Sequence, residues 1–242
     1  MKDFKTKVST FFSYYKWYIL IALFFVITLT VMGVQMCSRE KYDISVMYAG
    51  NAILSDTASA EIEKAFVTLG EEKDKALLYE LVIMNDEEIG KAYEKGYPST
   101  SVSPERVRKN KKMLAMNVMG DEYFILMLSP ECYNIMLSNG TLEKLDDIGV
   151  ATGDKASLRA DDYSVKLHEL DFVKKYKAFS VLPSDTVVCF KKISEMNEKK
   201  KTKLKKRADD LEIFAKMVSY TEPAASASTV AAAPNGKEYL PL

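Results

Sequence analysis

An apolar stretch of 22 residues without a charge, from Trp17 to Ser38, constrains this chain more than any other feature. At a rise of about 1.5 Å per residue, a helix of this length extends about 33 Å, enough to cross a hydrocarbon core of about 30 Å. Backbone groups in lipid need hydrogen-bond partners within the segment, so such a stretch has to be helical. A buried core helix rarely runs this far without a charge. The stretch therefore predicts one transmembrane helix over residues 17–38.

The residues that flank this stretch predict its orientation. Four lysines precede it and two basic residues follow it closely: Lys2, Lys5, Lys7 and Lys16 before it, and Arg39 and Lys41 after it. Basic residues accumulate on the cytoplasmic side of single spans. Residues 1–16 are therefore predicted to lie in the cytoplasm, and the C-terminal remainder outside the cell.

The same stretch could instead be a cleaved signal. Its apolar run exceeds the roughly 7–15 residues of a signal-peptide core. Lipoprotein-type cleavage before Cys37 is disfavoured because the bulky Gln35 and Met36 stand where small residues are needed. We therefore expect an uncleaved signal-anchor, with the lipid bilayer as the partner of residues 17–38.

The remaining composition predicts one globular domain over residues 42–220. The chain has 242 residues, and 34 Lys+Arg residues balance 34 Asp+Glu residues, so no net charge points to nucleic acid as a partner.

Cys132 and Cys189 lie in apolar surroundings, which favours two buried thiols over a disulfide. Residues 221–242 are rich in Ala, Ser and Pro, which predicts a disordered tail.

Strand patterns alternate with helix patterns in the first half of this domain. Strands are predicted at YDISVMYAGN, LLYELVIMND and YFILML, and the last two are apolar enough to be buried on both faces. Helix starts are predicted at Ser55, Asp56 or Thr57, at Ser103-Pro104 and at Ser129-Pro130, and helix ends at Gly70 and Asn139-Gly140. The alternation predicts an α/β fold with a largely parallel sheet flanked by helices.

The pattern is weaker after Asp147. Loops with a short strand are predicted first, then a short helix at FVKKYKAFSVLP, a fourth strand at DTVVCFKKI and a last helix over residues 195–218. Seven of the nine residues from Lys199 to Arg207 are basic. This run could attract anionic lipid or cell-wall polymer. A solvated helix start is the more common role of such a run, and we favour it.

Motifs for catalysis and metal binding are few. His168 is the single histidine, so no histidine cluster can hold a metal. The sequence has no Gly-x-Ser-x-Gly elbow, phosphate loop or dinucleotide fingerprint. The acidic pairs Asp146-Asp147 and Asp161-Asp162 are typical of solvated turns. We therefore expect a protein that is not an enzyme and uses no cofactor.

Three stretches resemble extracellular solute-binding proteins of the maltose type. GDEYFILMLSPECYNIMLSNGTLEKLDDI is similar to a segment in which a strand, an acidic-flanked loop and a short helix lead to a Leu-Asp-Asp turn. YDISVMYAGN with its following helix is similar to the family's first strand and helix, and TVVCFKKI to a strand that returns from the second lobe. The resemblance covers about residues 43–148 and 185–218. It implies one lobe of such a protein, because the chain between Asp147 and Asp185 is too short to form the other.

The resemblance also implies a functional surface, since the carboxyl ends of strands in open α/β sheets face the ligand side. The matching residues there form the candidate ligand or partner surface: Tyr48, Gly50, Asn51, Ser129, Glu131 and Tyr133. A single open lobe encloses a solute poorly but can dock a protein. We therefore expect a membrane-anchored extracytoplasmic interaction protein, accessory to an envelope transporter. The alternative is a solute receptor that completes its cleft by dimerising or with a partner lobe.

Overall fold

The computed structural model describes residues 15–18, 20–32, 42–71, 73–99 and 101–221. Contacts divide the chain into two units, residues 1–41 and residues 42–242. Three predicted segments lie outside the described residues: residues 1–14 of the cytoplasmic segment, residues 33–38 of the span and residues 222–242 of the disordered tail.

The first unit contains one apolar helix, α1, over Tyr15–Met32, with a mean hydropathy of 1.9. By length and composition, α1 is able to cross a membrane, and its side chains are exposed. Thr28 and Thr30 donate their hydroxyls to the carbonyl oxygens of Phe24 and Val26, at 2.9 and 2.7 Å. These polar groups are therefore satisfied within the helix, as a lipid environment requires. α1 therefore has the length and composition of a membrane-spanning helix, which a signal sequence can share.

The second unit is built on one five-stranded sheet with the strand order β2-β1-β3-β5-β4. The strands are β1 Ile44–Gly50, β2 Ala76–Val82, β3 Ile125–Leu128, β4 Ser164–Lys166 and β5 Val187–Phe190. β1 pairs in parallel with β2 and β3, whereas β5 is antiparallel to both β3 and β4. The predicted α/β class is confirmed, and the sheet is mostly but not wholly parallel.

Helices cover both faces of this sheet. They are α2 Asp56–Val67, α3 Asp86–Glu94, α4 Pro104–Met119, α5 Pro130–Ser138, α6 Asp171–Lys175 and α7 Lys201–Ser219, with short 3₁₀ helices at Gly153–Leu158, Leu167–Glu169 and Lys177–Val181. One core cluster joins the sheet to α2, α6 and α7, and a second joins it to α4 and α5. A third, small cluster packs α3 and the start of α4 at the end of β2.

Strand β1 shows how the sequence produces this layering. Val46 and Tyr48 pack in the cluster with α2 and α7, and the intervening Met47 and Ala49 pack in the cluster with α4 and α5. Successive side chains of a strand point to opposite faces, so a strand between two helical layers is buried throughout. All seven residues of β1 are buried.

Most helix boundaries follow the predicted start and stop residues, although α2 ends at Val67 with Thr68 as its C-cap, before the predicted stop at Gly70. Ser55 caps α2 by accepting a hydrogen bond from the Ala58 amide at 3.2 Å, and Ser103 caps α4 in the same way through the Arg106 amide. α5 begins at Pro130 and has Asn139 as its C-cap, with Gly140 following at φ 65°. Side-chain acceptors at the N-cap and a left-handed glycine after the C-cap satisfy the unpaired ends of a helix.

Three sequence-based expectations are wrong in detail. β2 is an outer strand whose Leu77, Tyr79 and Glu80 are half-buried, so it is not enclosed on both faces. Helix α3 was not expected, although Asn85 and Glu88 form a capping box at its start. The last helix begins at residue 201 rather than 195, because the preceding residues turn inward to a buried acidic side chain.

That side chain is Asp121, which forms a buried ion pair with Lys191. The two side chains are 0% and 1% exposed, and Lys191 Nζ lies 2.5 Å from Asp121 Oδ1. β5 runs antiparallel to β3, so the residue after β5 returns to the loop that precedes β3. Ser194 and Asn197 donate hydrogen bonds to the other carboxylate oxygen at 2.5 and 2.7 Å. Burial acts to raise the pKa of Asp121, but these hydrogen bonds outweigh it and hold the pKa below its ordinary value.

The basic run of residues 199–207 contributes to this part of the fold. Lys203 donates to the Asp121 carbonyl at 2.8 Å, Lys206 donates to Ser45 Oγ at 3.1 Å, and Arg207 binds Glu143 at 2.7 Å. The remaining lysines of the run are exposed. The run therefore docks α7 on the sheet as well as facing solvent.

Asp210, one turn further along α7, is a buried carboxylate whose charge is only weakly balanced by a neighbouring cation. Its side chain is 1% exposed, and Lys206 Nζ lies 3.4 Å from Asp210 Oδ2. Burial raises the pKa of Asp210 to about 7, against the opposing charge of Lys206. A carboxyl with a higher pKa in the folded chain binds protons more strongly when folded, so the free energy of unfolding falls as the pH rises from about 4 to above 7.

We expect Asp210→Asn to remove this part of the pH dependence. Between pH 4 and pH 8 the variant should gain about 2–4 kcal/mol relative to the parent, because each pKa unit corresponds to about 1.4 kcal/mol. The measurement is urea denaturation of residues 42–220 across this pH range. The exposed neighbour provides the control: Asp209→Asn should keep the parent's slope. Equal slopes for Asp210→Asn and the parent would show that Asp210 does not titrate in this range.

Candidate functional site

The topology creates a crevice at the carboxyl ends of β1 and β3. These strands are parallel neighbours, yet the chain leaves β1 toward the face of α2 and leaves β3 toward the opposite face, where α5 packs. A point where the connections of adjacent strands diverge in this way is the usual ligand-binding position of an open α/β sheet. The two departing loops begin at Asn51 and Ser129.

The base of this crevice is filled by Tyr48. Its side chain is fully buried, and its hydroxyl oxygen accepts a hydrogen bond from the Ala52 amide at 2.9 Å. Burial raises the pKa of Tyr48 far above the ordinary value of a phenol, so the hydroxyl stays neutral. The tyrosine therefore fixes the turn after β1.

Gly50 allows Tyr48 to occupy this position. A Cβ atom at residue 50 would lie 2.5 Å from Tyr48 Oη and 3.2 Å from Ser129 Cβ. Neither neighbour has room to move, since Tyr48 and Ser129 are both buried. Residue 50 is a glycine here because Tyr48 and Ser129 leave no space for a side chain.

We expect Gly50→Ala to lower the free energy of unfolding by about 1–3 kcal/mol, the usual cost of overpacking a core. Tyr48→Phe removes the oxygen that the new methyl group would meet. The double variant should therefore be less destabilised than the sum of the two single variants, as a double-mutant cycle by urea denaturation would measure. Strict additivity would mean that the clash with Tyr48 is relieved elsewhere.

Asn51 ties the end of β1 to the start of α3. Its Nδ2 donates to Glu88 Oε1 at 2.7 Å, while Glu88 Oε2 accepts from the Asn85 amide at 2.8 Å. The loop is held at a further point, because the Leu54 amide donates to Glu80 Oε1 at 3.1 Å. The loop after β1 is thus positioned by hydrogen bonds to two other elements.

A cavity of about 460 Å³ opens beside this loop. Its polar lining is Asn51, Ser55, Glu88, Lys91 and Lys95, and its apolar lining is Ala52, Ile53, Met84, Ala92, Tyr97 and Val181. Lys91 pairs with the exposed Glu87 at 2.6 Å on the outer side of α3, which raises the pKa of Lys91. Glu88 is held by Asn51 and Asn85, and Lys91 is held by Glu87. Lys95 is therefore the lysine of the lining that forms no ion pair with the described residues.

The structure separates the six residues of the candidate surface. Tyr48, Gly50 and Ser129 come together in the packed base of the crevice, and Asn51 lines the cavity. Glu131 and Tyr133 are directed elsewhere. Glu131 is exposed and lies 3.6 Å from Lys111, and the buried Tyr133 donates its hydroxyl to Asp161 at 2.5 Å.

Ser129 is buried next to a cysteine. Burial raises the pKa of the Cys132 thiol, although its hydrogen bond with Ser129 acts in the opposite direction. Cys132 and Cys189 are both buried free thiols. Buried, protonated thiols are poor nucleophiles and act as small apolar side chains.

Sequence reasoning missed the α3 side of the cavity. Glu88, Lys91, Lys95 and Tyr97 lie on or just after α3, a helix that the sequence patterns did not predict. The capping box at Asn85 was the available signal. Across the described ranges between residues 15 and 221, no group of three or more His, Cys, Asp or Glu side chains is arranged to hold a metal ion.

Comparison with known proteins identifies no relative. No family model matches the chain, and neither a curated protein nor a solved structure is significantly similar to it. The function therefore has to be argued from the arrangement of the residues.

Proposed function

We propose that this chain is a membrane-anchored, extracytoplasmic and non-enzymatic binding module that docks a partner protein at the carboxyl-end surface of its sheet. A component of an envelope transporter is the partner class that the resemblance to solute-binding proteins implies. α1 supports the anchored state, since it is long and apolar enough to span a bilayer. The remaining support comes from the crevice and the cavity beside it.

The cavity beside Asn51 is the observation that carries this proposal. It combines an apolar floor with two lysines, Lys91, which pairs with Glu87, and Lys95, and within the described residues no second lobe covers it. Small-molecule sites usually bury most of their ligand, whereas protein interfaces are flatter and rimmed by polar groups. An anchored surface of this shape suits an apolar side chain and an acidic group on the same protein partner.

The side chains of the crevice favour binding over catalysis. A nucleophile needs a base within hydrogen-bond distance. The Tyr48 hydroxyl is instead bonded to a backbone amide, and Ser129 is buried beside a protonated thiol. The single histidine of the sequence, His168, has its Nε2 3.0 Å from the Pro183 carbonyl oxygen. These groups hold the loops in place, which is a structural role.

The experiment is affinity purification of the full chain in detergent, with the charge-reversal variant Lys91→Glu/Lys95→Glu compared with the parent by quantitative mass spectrometry. We expect one envelope protein to be enriched by the parent and lost from the variant. Lys144→Glu/Lys199→Glu, which changes two exposed lysines by the same charge, is the matched control and should retain that protein. Equal recovery by both variants would contradict docking at the cavity.

The proposed topology needs its own test. Protease added to spheroplasts should digest residues 42–220 together with a known surface protein, while a cytoplasmic marker stays intact. A domain that remains protected under these conditions would overturn the extracytoplasmic location.

A solute receptor is the second candidate function, and the cavity volume favours it. About 460 Å³ falls within the roughly 300–1,000 Å³ of small-molecule pockets. Such a receptor would close the cavity with a second copy or a partner lobe. Thermal-shift measurements of the full chain with amino acids, sugars and small carboxylic acids test this function. A solute that raises the melting temperature, together with a change from monomer to dimer, would favour it over protein docking.

A further inference from the structure

The outer edge of β2 is a second surface with recognisable chemistry. β2 pairs only with β1 in the described sheet. The Lys75 carbonyl and the Ile83 amide bond toward β1, and backbone groups alternate in direction along a strand. The backbone groups of Leu78, Glu80 and Val82 therefore point away from the sheet.

Side chains form hydrogen bonds with the backbone at both ends of this edge, and the backbone groups between them form none with the described residues. Glu63 Oε1 accepts from the Leu78 amide at 2.9 Å, and Asn110 Nδ2 donates to the Val82 carbonyl at 2.8 Å. Between these contacts, the described residues provide no partner for the Leu78 carbonyl, the Glu80 amide and carbonyl, or the Val82 amide. Acceptor, donor, acceptor and donor follow in order, which is the set that one added strand requires.

A groove runs between this edge and α4. It has a volume of about 860 Å³ and is lined by Tyr79, Glu80 and Leu81 of β2, by Ser103, and by Glu105, Arg106, Arg108, Lys109, Asn110, Lys112 and Met113 of α4. Four of these side chains are basic and two are acidic, so the groove carries an excess of positive charge. Lys109 and Lys112 are exposed. Neither forms an ion pair with a carboxylate among the described residues, whereas the neighbouring Lys111 pairs with Glu131.

We infer that the β2 edge binds an extended acidic segment of a partner protein, which adds a sixth strand beside β2 and places its carboxylates against α4. Backbone pairing provides affinity in such strand addition, and alternate side chains provide selectivity. A second copy of this chain does not fit, since edge-to-edge pairing would bring two basic α4 helices together. This inference does not depend on the cavity at the carboxyl ends.

The probe is a fluorescein-labelled ten-residue peptide that alternates Glu and Thr, added to the full chain in detergent micelles. Fluorescence anisotropy should show binding that weakens as salt rises. A peptide with Lys in place of Glu, and a Glu peptide with alternate backbone nitrogens methylated, should each bind at least about tenfold more weakly, since one or two lost hydrogen bonds or a lost charge attraction amount to this factor. Equal binding of the methylated peptide would overturn strand addition.

Variants of this edge provide matched controls. Glu80→Pro removes the central amide donor, whereas Glu80→Ala removes the same carboxylate and keeps the amide, so only the proline variant should lose about tenfold in affinity. Lys109→Glu/Lys112→Glu should lose at least as much, and Lys199→Glu/Lys201→Glu, the same change at exposed sites on another surface, should not. If Glu80→Pro does not fold, the affinity of Lys109→Glu/Lys112→Glu for the peptide tests the inference. Retained binding by Lys109→Glu/Lys112→Glu, or a peptide-bound chain that forms dimers, would contradict the inference.

Discussion

Asp121→Ala should lower the free energy of unfolding of residues 42–220 by about 3–5 kcal/mol, because it leaves the Lys191 ammonium buried without its counter-charge. The ammonium is 1% exposed and would keep only the Gly120 carbonyl, at 2.6 Å, as a strong partner. The same substitution removes the acceptor for Ser194 and Asn197, and with it the turn that leads into α7. Urea denaturation at pH 7 measures the change.

The matched comparison is Lys191→Met, alone and combined with Asp121→Ala. Each single variant leaves one buried charge without a partner, whereas the double variant leaves none. The double variant should therefore be markedly less destabilised than the sum of the single variants, with a coupling energy of about 2 kcal/mol or more. Additive losses would show that the two groups are solvated separately rather than paired.

Leu126→Asp should prevent the domain from folding at 37 °C. Leu126 is fully buried in β3, with Met47 of β1 and Cys189 of β5 as its neighbours in register. An unpaired carboxylate there costs more than the roughly 5 kcal/mol at the lower end of domain stability. The measurement is thermal melting of residues 42–220 with and without the substitution.

An exposed leucine provides the control for this substitution. Leu204 of α7 is 43% exposed, and Leu204→Asp should change the melting temperature by only a few degrees. The prediction fails if Leu126→Asp melts like the parent. A parent fragment without a cooperative transition would instead show that residues 42–220 do not form a domain on their own.

Local features of the sequence predicted local structure well. Ser55, Ser103 and Asn139-Gly140 mark helix ends, because capping depends on side chains within one turn of the boundary. The alternation of strands and helices likewise predicted the α/β class. These signals depend on neighbouring residues, so they can be recognised in a single sequence.

Features that depend on distant residues were not predictable in this way. The position of β5 between β3 and β4, antiparallel to both, has no local signal, and neither does the outer position of β2. The pairing of Asp121 with Lys191 joins residues 70 positions apart. A buried charge in a sequence looks like a surface charge until its partner is known.

The residues of the candidate surface separate into two groups in the structure for the same reason. Gly50 ends β1, and Asn51 and Ser129 directly follow β1 and β3, which lie side by side, so their proximity follows from the parallel sheet. Glu131 and Tyr133 lie within α5, where the rotation of the helix decides which side chains reach the crevice. That rotation is set by Cys132, Tyr133 and Met136 packing in the core, and it directs Tyr133 toward Asp161.

Site-specific photo-crosslinking in intact cells tests the central claim most directly. A benzophenone amino acid is placed at Lys95, on the rim of the cavity, or at the exposed Glu122, before the amino end of β3. The proposed function predicts one discrete adduct with an envelope protein from position 95 and none from position 122. No adduct at position 95, or the same adducts from both positions, would contradict a docking surface at the carboxyl ends of the strands.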